Sequence, residues 1–142
     1  ELACMRGFAK TDIYVKYLPT KPVSILERKV SGGRTAGKGR VVSLCGPEGF
    51  ANVVPAMAEA YFQRSPVIFI TSASTLKRDG RGGFKEIDHK VAEPITKSTI
   101  SVTAGERIAE AVDKAYDLVV NGNPGPVHIS IPVDLLYSSY EP

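Results

Sequence analysis

The chain has 142 residues and a net charge of +3, and this length suits one α/β domain with a single hydrophobic core. Hydrophobic residues make up 43% of the sequence and charged residues 23%, a mixture that is typical of a folded domain and argues against a disordered chain. The small basic excess is not interleaved with aromatic residues, so nucleic-acid binding is not expected, and no apolar run reaches the roughly 20 residues that span a bilayer.

The two cysteines, Cys4 and Cys45, lie far apart and have no neighbours at metal-binding spacing. This arrangement argues against a disulfide framework and against a zinc site. We expect both cysteines to be packing residues, and we expect this chain to contribute no metal ligands.

The first segment, residues 1–10, carries apolar side chains at helical spacing and is predicted to be the end of an amphipathic helix. Because the chain begins at Glu1 and enters this helix at once, we expect it to be an N-terminally truncated piece of a longer protein. Residues 12–36 mix β-branched runs with two prolines and a Gly/Arg stretch, which indicates a loose hairpin or a disordered loop.

Strand and helix patterns alternate clearly in the middle of the chain. An apolar run at 40–46, which ends in glycine, predicts a buried strand. Residues 47–65 predict a helix that begins late or kinks because Pro55 lies inside it. A second buried strand is predicted at 66–74, before a polar loop at 75–90. The apolar stripe expected on the helix consists of Phe50, Val53, Val54, Met57, Ala58, Tyr61 and Phe62.

The last third of the chain repeats this alternation. Residues 95–102 alternate as a strand does, residues 105–122 form a strongly amphipathic helix pattern, and residues 124–135 contain a final strand. Asn121 and Gly122 are expected to end the helix.

The order strand–helix–strand, loop, strand–helix–strand predicts a parallel sheet with helices on both faces. Ligands of such sheets bind at the carboxyl ends of the strands. In this sequence those ends are expected at residues 45–47, 71–73 and 131–132.

A glycine-rich stretch at 31–40 contains Gly32, Gly37 and Lys38 at the spacing of a phosphate-binding loop. Such a loop needs a hydroxyl residue after the lysine and a helix at its exit. Here Gly39 follows the lysine and the chain enters a strand. The stretch is therefore interpreted as a connector and not as a nucleotide site.

Five motifs follow one another in the order known from one enzyme family: "GPEGFAN", "SPVIFITS", "GGFKEID", "EPITK" and "NGNPGPVHISIPVDLL". On these motifs, residues 37–136 resemble the N-terminal, pyrimidine-binding domain of thiamine-diphosphate enzymes of the acetolactate synthase type. The stretches "SPVIFITSASTL" and "PVDLLYSSY" are most similar to acetolactate-synthase-like proteins, a branch that includes 2-hydroxyacyl-CoA lyases. The resemblance implies a flavodoxin-like α/β fold.

The resemblance also divides the chain into segments. Residues 1–11 would be the end of the first helix of the pyrimidine-binding domain, and residues 12–36 an atypical insertion, because in the family this helix leads almost directly to the junction found here at Gly37. Residues 37–136 would form the rest of the domain. Residues 137–142 would begin a linker to the next domain.

In the family, a glutamate of this domain bonds the aminopyrimidine ring of the cofactor and promotes its activation. Glu1 lies closer to the helix glycine, Gly7, than the family's glutamate does, and this offset turns it to another face of the helix. Either the helix is shortened and Glu1 is the catalytic residue, or the catalytic glutamate precedes Glu1. The second reading is favoured, and Glu1 is then an exposed helix residue.

The resemblance assigns the cofactor side to "GPEGFAN", where Gly46, Pro47, Gly49 and Asn52 match the family pattern if Glu48 is an inserted residue. Glycine there would let the backbone approach the pyrimidine ring closely. The alternative is a strand-to-helix turn that binds no ligand.

On the substrate side, Phe84 of "GGFKEID" matches the family's phenylalanine, whereas Lys85 stands where the family has glutamine. A lysine at this position leaves the substrate class open and suits an acyl-CoA. His89 and His128 match no family site and are interpreted as structural residues.

The implied function is that of a lyase or carboligase acting on 2-oxo acids, with thiamine diphosphate as cofactor. The alternatives are a 2-hydroxyacyl-CoA lyase or oxalyl-CoA-type decarboxylase, and a non-catalytic α/β remnant or assembly module. In the family, a separate domain holds the diphosphate and its magnesium, and a second subunit completes the site in a homodimer or tetramer. This chain alone is expected to be inactive, and the cytoplasm is the default location.

Overall fold

The computed structural model describes residues 15–17, 40–44, 46–78, 81 and 89–136, and the side chains of residues 50–78, 81 and 90–136. The predicted helix at 1–10 and both cysteines lie outside these residues. Among the described helices, none combines the length and the apolar character needed to cross a membrane.

Within the described residues, one sheet of five strands organises the domain, and every strand pair in it is parallel. The spatial order of the strands is β1-β2-β3-β5-β4. This sheet confirms the predicted parallel α/β class. The strands are β1 Val15–Tyr17, β2 Arg40–Leu44, β3 Val67–Ala73, β4 Ser98–Ser101 and β5 Val127–Pro132.

The edge strand β1 corrects the expectation of a loose hairpin or disordered loop in the segment 12–36. Its three residues pair in parallel with β2, from Val15 opposite Val41 to Tyr17 opposite Ser43. Three residues are too few to show a period in the sequence, and the partner of this strand is distant along the chain. The rest of the segment 12–36 lies outside the described residues.

The first described helix, α1, spans Gly46–Phe62 and follows β2 almost directly. It therefore begins well before Pro55, and the expectation of a late start was wrong. Pro55 lies inside the helix and is exposed. A proline inside a helix removes one backbone hydrogen bond, and here the helix continues through that position to Phe62.

The buried face of α1 differs from the predicted stripe: it includes Ala56 and Ala60, which the stripe omits, and it excludes Tyr61 and Phe62. Tyr61 and Phe62 were expected to be buried, but 41% and 79% of their surfaces are exposed. Both residues belong to the last turn of α1, although Ala60 directly before them is fully buried. The buried residues of α1 are Phe50, Val53, Ala56, Met57 and Ala60.

The second long helix, α2, spans Ile108–Val120 after a 3₁₀ turn at Gly105–Arg107. Its buried residues are Ala111, Val112, Ala115 and Val119, as the amphipathic pattern at 105–122 predicts. Gly122, with φ +68°, lies just beyond its end as expected. The ammonium group of Lys97 donates hydrogen bonds to the carbonyl oxygens of Leu118 and Asn121, so it caps this end.

Two hydrophobic clusters lie on opposite faces of the sheet. One contains the buried residues of α1 with Val67 and Phe69 of β3 and Ala92. The other contains the buried residues of α2 with Ile68 and Ile70 of β3 and the alternate residues of β5. The prediction of helices on both faces is therefore confirmed. Shorter elements complete the chain: 3₁₀ helices at Leu76–Arg78 and His89–Ile95, and α3 at Val133–Leu136.

Candidate functional site

The carboxyl ends of three strands meet at one edge of the sheet. Leu44 lies opposite Thr71 in the β2–β3 pair, and Ala73 lies opposite Pro132 in the β3–β5 pair. The ends predicted from the sequence therefore share this edge, which we call the carboxyl edge. Ligands of parallel α/β sheets bind at this kind of edge.

The glycine motif at the carboxyl edge is the beginning of α1. Gly46, Pro47 and Gly49 belong to the first turn of the helix, where backbone N–H groups have no partner within the helix and carry partial positive charge. Asn52 follows on the next turn with an exposed side chain. The structure thus brings the four predicted cofactor-side residues together on a helix that starts at the expected edge.

A carboxylate joins two of the strand ends. Asp134 of α3 accepts a hydrogen bond from the backbone N–H of Leu76, with N–O distances of 3.2 Å to Oδ2 and 3.4 Å to Oδ1. The contact ties the segment after β3 to the segment after β5. Asp134 belongs to one of the five motifs but had been given no role, because the sequence does not show which amide lies opposite it.

Exposed basic side chains lie just beyond this contact. Lys77 and Arg78 end the 3₁₀ helix after β3 and are exposed, as is Arg81. The chain then enters residues 82–88, which lie outside the described part, as do Phe84 and Lys85. Glu1 also lies outside the described residues, so its predicted role stays a prediction.

Buried polar side chains lie beneath α1. Thr71, His128 and Ser130 are exposed by 2%, 0% and 6% of their surfaces. The Nε2 atom of His128 lies 2.8 Å from the Thr71 hydroxyl, and its ring centroid lies 5.2 Å from that of Phe50, with a tilt of 40°. This burial agrees with the interpretation of His128 as a structural residue, and it shows a contact with α1 that the sequence could not indicate.

An exposed ion pair joins Arg107 and Glu110. Arg107 Nε lies 3.2 Å from Glu110 Oε2 at the start of α2. The hydrogen bond from Arg107, and then its charge, hold the pKa of Glu110 below its usual value. Both side chains are exposed, so solvent screens the pair and its contribution to stability is small.

In the part of the chain that the structure describes, no group of three or more His, Cys, Asp or Glu side chains could hold a metal ion. At the carboxyl edge, Asp134 accepts a hydrogen bond from the backbone N–H of Leu76.

Residues 31–92 match the family described as thiamine pyrophosphate enzyme, N-terminal TPP binding domain. These residues belong to that family. The match includes β2, α1 and β3, and with them the glycine motif at the carboxyl edge. The family predicted from the five motifs is therefore confirmed, and thiamine diphosphate is the cofactor that the family description names.

Two curated relatives represent both branches named by the resemblance. The chain is 39% identical over 104 residues to the "Probable acetolactate synthase large subunit" of Methanocaldococcus jannaschii, covering 72% of this chain and 17% of the relative. It is 33% identical over 105 residues to "2-hydroxyacyl-CoA lyase 2" of Danio rerio, covering 73% of this chain and 17% of the relative. The chain thus spans about a sixth of the length of these relatives.

The fold is also similar to that of a solved structure. Benzoylformate decarboxylase of Polynucleobacter necessarius superposes with a TM-score of 0.76 at 19% identity, covering 87% of this chain and 23% of the solved chain. At this identity the similarity concerns the fold alone, and it confirms the expected flavodoxin-like α/β architecture.

Proposed function

We propose that this chain forms the pyrimidine-binding side of a thiamine-diphosphate site in an acetolactate synthase-like lyase or carboligase that acts on 2-oxo acids. The observation that carries the proposal is the position of the glycine motif. It forms the first turn of α1 at the carboxyl edge of a parallel sheet, within the segment that matches the family. A planar ring can approach this turn because glycine presents no side chain.

When bound, the cofactor supplies a nucleophilic carbon and an electron sink for the bond cleaved next to a carbonyl group. The proposed part of this chain is to bind and orient the aminopyrimidine. Gly46, Pro47 and Gly49 would present backbone to the ring, and the exposed amide of Asn52 would lie within reach on the next turn. The turn is preorganised, since the buried face of α1 fixes it to the sheet.

A glutamate near the start of the chain would hold the proton of the aminopyrimidine. An apolar environment raises the pKa of such a carboxyl group, so that it can share a proton near neutral pH. Glu1 is one candidate, and a glutamate preceding it is the other. Phe84 and Lys85 are proposed to lie on the substrate side.

The chain spans 17% of the length of the acetolactate synthase relative. This small share supports a proposal about partners. Other domains of a longer enzyme would hold the diphosphate and magnesium. A second subunit, in a homodimer or tetramer, would complete the active site.

Substitution of Gly49 by Ala tests the cofactor-side role. Alanine is the more favourable residue inside a helix by about 1 kcal/mol, so Gly49→Ala should not lower stability. If the cofactor ring approaches this turn, the added methyl group should weaken thiamine-diphosphate binding by about tenfold in an isothermal titration of the protein as encoded. Ala51→Ser, at an exposed position of the same helix, is the control and should leave the affinity unchanged.

Unchanged cofactor affinity in the Gly49→Ala variant would refute the role of this turn. Absence of thiamine-diphosphate binding by the unmodified protein would favour the non-catalytic alternative, an α/β remnant or assembly module.

The second candidate substrate class is an acyl-CoA. The exposed cations Lys77 and Arg78 follow the carboxyl end of β3, where a polyphosphate group could contact them. One relative of this chain is named 2-hydroxyacyl-CoA lyase 2, and this name supports acyl-CoA compounds as the second class to test. If an acyl-CoA is the substrate, Lys77→Gln with Arg78→Gln in the proposed longer enzyme should raise KM for the acyl-CoA without changing kcat. Lys114→Gln on α2 should change neither. An unchanged KM would refute this role of the two cations.

A further inference from the structure

His128 is the one imidazole whose side chain the structure describes, and it lies inside the domain at the second position of β5. Its strand neighbours Val127 and Ile129 belong to the cluster beneath α2. Because side chains alternate along a strand, His128 faces the other side of the sheet, which α1 covers. On that face it contacts the helix of the glycine motif through Phe50.

Contacts on two different elements hold the ring. The Thr71 hydroxyl of β3 lies 2.8 Å from Nε2, a normal hydrogen-bond distance. On the other side, the ring of Phe50 lies at 5.2 Å between centroids, within the range of favourable aromatic contacts. The imidazole thus connects the sheet to α1 through one polar and one apolar contact.

Phe50 directly follows Gly49, and 3% of its surface is exposed. It is the buried residue closest in sequence to the first turn of α1 in the described part of the chain. The orientation of that turn therefore depends on what Phe50 packs against. An aliphatic residue at position 128 could fill the space, but it could not be fixed by a hydrogen bond to β3.

We propose that His128 is a positioning residue for the cofactor-side turn of α1. The bond to Thr71 holds the imidazole, the imidazole supports Phe50, and Phe50 sets the orientation of the turn that contains Gly49. The link to the cofactor rests on the proposed function, whereas the link to α1 does not.

The test compares two neighbouring buried residues of β5 in the protein as encoded. His128→Ala removes the support of α1, and Ile129→Ala removes packing beneath α2 at an equally buried position. Native-state amide hydrogen exchange then reports on each helix separately. We expect His128→Ala to accelerate exchange in residues 49–56 about tenfold more than in α2, and Ile129→Ala to show the opposite preference.

His128→Phe is the conservative variant, because it keeps an aromatic ring against Phe50. We expect the double variant with His128→Phe and Thr71→Val to show slower exchange in residues 49–56 than His128→Ala, close to that of the unmodified protein. In the double variant both hydrogen-bonding partners are removed together, so neither is left buried and unpaired. Equal acceleration of both helices by His128→Ala would overturn the positioning role, because general destabilisation alone would produce it.

A titration with thiamine diphosphate tests the link between His128 and the cofactor separately from the link between His128 and α1. We expect about tenfold weaker binding in His128→Ala, near-normal binding in the variant with Thr71→Val and His128→Phe, and unchanged binding in Ile129→Ala. Selective loosening of α1 with unchanged cofactor affinity would overturn the link to the cofactor. If the unmodified protein binds no thiamine diphosphate, the proposed function fails, and the exchange pattern alone decides whether His128 positions α1.

Discussion

The two faces of the sheet are built from different chemistry. Beneath α2, the buried residues of β3 and β5 are all aliphatic, Ile70 and Ile129 among them. Beneath α1, the same two strands present Thr71, His128 and Ser130 as well as apolar residues. Buried polar groups are costly unless they are hydrogen-bonded, so their concentration beneath the helix that carries the glycine motif indicates a demand for precise orientation there. The face of α2 needs only to be packed.

The largest expected effect concerns the apolar face. Ile129→Ala should lower the free energy of unfolding by about 3 kcal/mol, because Ile129 is fully buried and the substitution leaves a cavity. Urea unfolding followed by circular dichroism measures the change. A loss below about 1 kcal/mol would contradict the account that packing of aliphatic side chains stabilises this face.

The next prediction compares adjacent residues of β3 on opposite faces. Thr71→Val should cost about 2 kcal/mol, since it removes the hydroxyl that bonds buried His128 while keeping the shape of the side chain. Ile70→Val beneath α2 should cost about 1 kcal/mol, the usual loss for one methylene group. Both values come from urea unfolding, and equal losses would remove the distinction between the two faces.

The ends of the two helices also differ. After α2 the chain has glycine at positive φ, Gly122 at +68°, whereas after α1 a non-glycine residue, Arg64, has φ 52°. Arg64→Gly should therefore stabilise the protein by about 1 kcal/mol, and Gly122→Ala should destabilise it by a similar amount. Arg64→Ala is the control for the loss of the side chain. Thermal unfolding measures the three variants, and no gain from Arg64→Gly would refute backbone strain at this position.

The smallest expected effect concerns the end of α2. Lys97→Met keeps the aliphatic part of the side chain against Gly125 but removes the ammonium group that bonds Leu118 and Asn121. We expect a loss of about 0.5–1 kcal/mol in unfolding free energy. Lys114→Met, on the exposed surface of the same helix, should cost less. Equal costs would show that the cap contributes nothing.

The elements with long, regular patterns were predictable from the sequence. β3, α2 and β5 agree with the periodic runs because each buries one stripe or a whole strand against the sheet. The start of α1 was not predictable in this way. Pro55 indicates a late start locally, whereas the packing of the whole helix allows it to begin at Gly46. The strand β1 was missed because three residues show no period and their pairing is a tertiary contact.

The candidate site also has features that the sequence predicts and features that it does not. The glycine motif and its position at the carboxyl edge followed from sequence order, because parallel strands bring their ends together. The bond of Asp134 to Leu76 and the contact of His128 with Phe50 join residues far apart in the chain. Such pairs depend on strand register and helix orientation, which a single sequence does not contain.

The most direct test of the cofactor-side assignment is amide hydrogen exchange of the protein as encoded, with and without thiamine diphosphate and magnesium. We predict that the cofactor slows exchange in residues 46–52, at the start of α1, and leaves the middle of α2 unchanged. Slower exchange only in other parts of the protein, while the cofactor is bound, would contradict the assignment of the glycine motif to the cofactor.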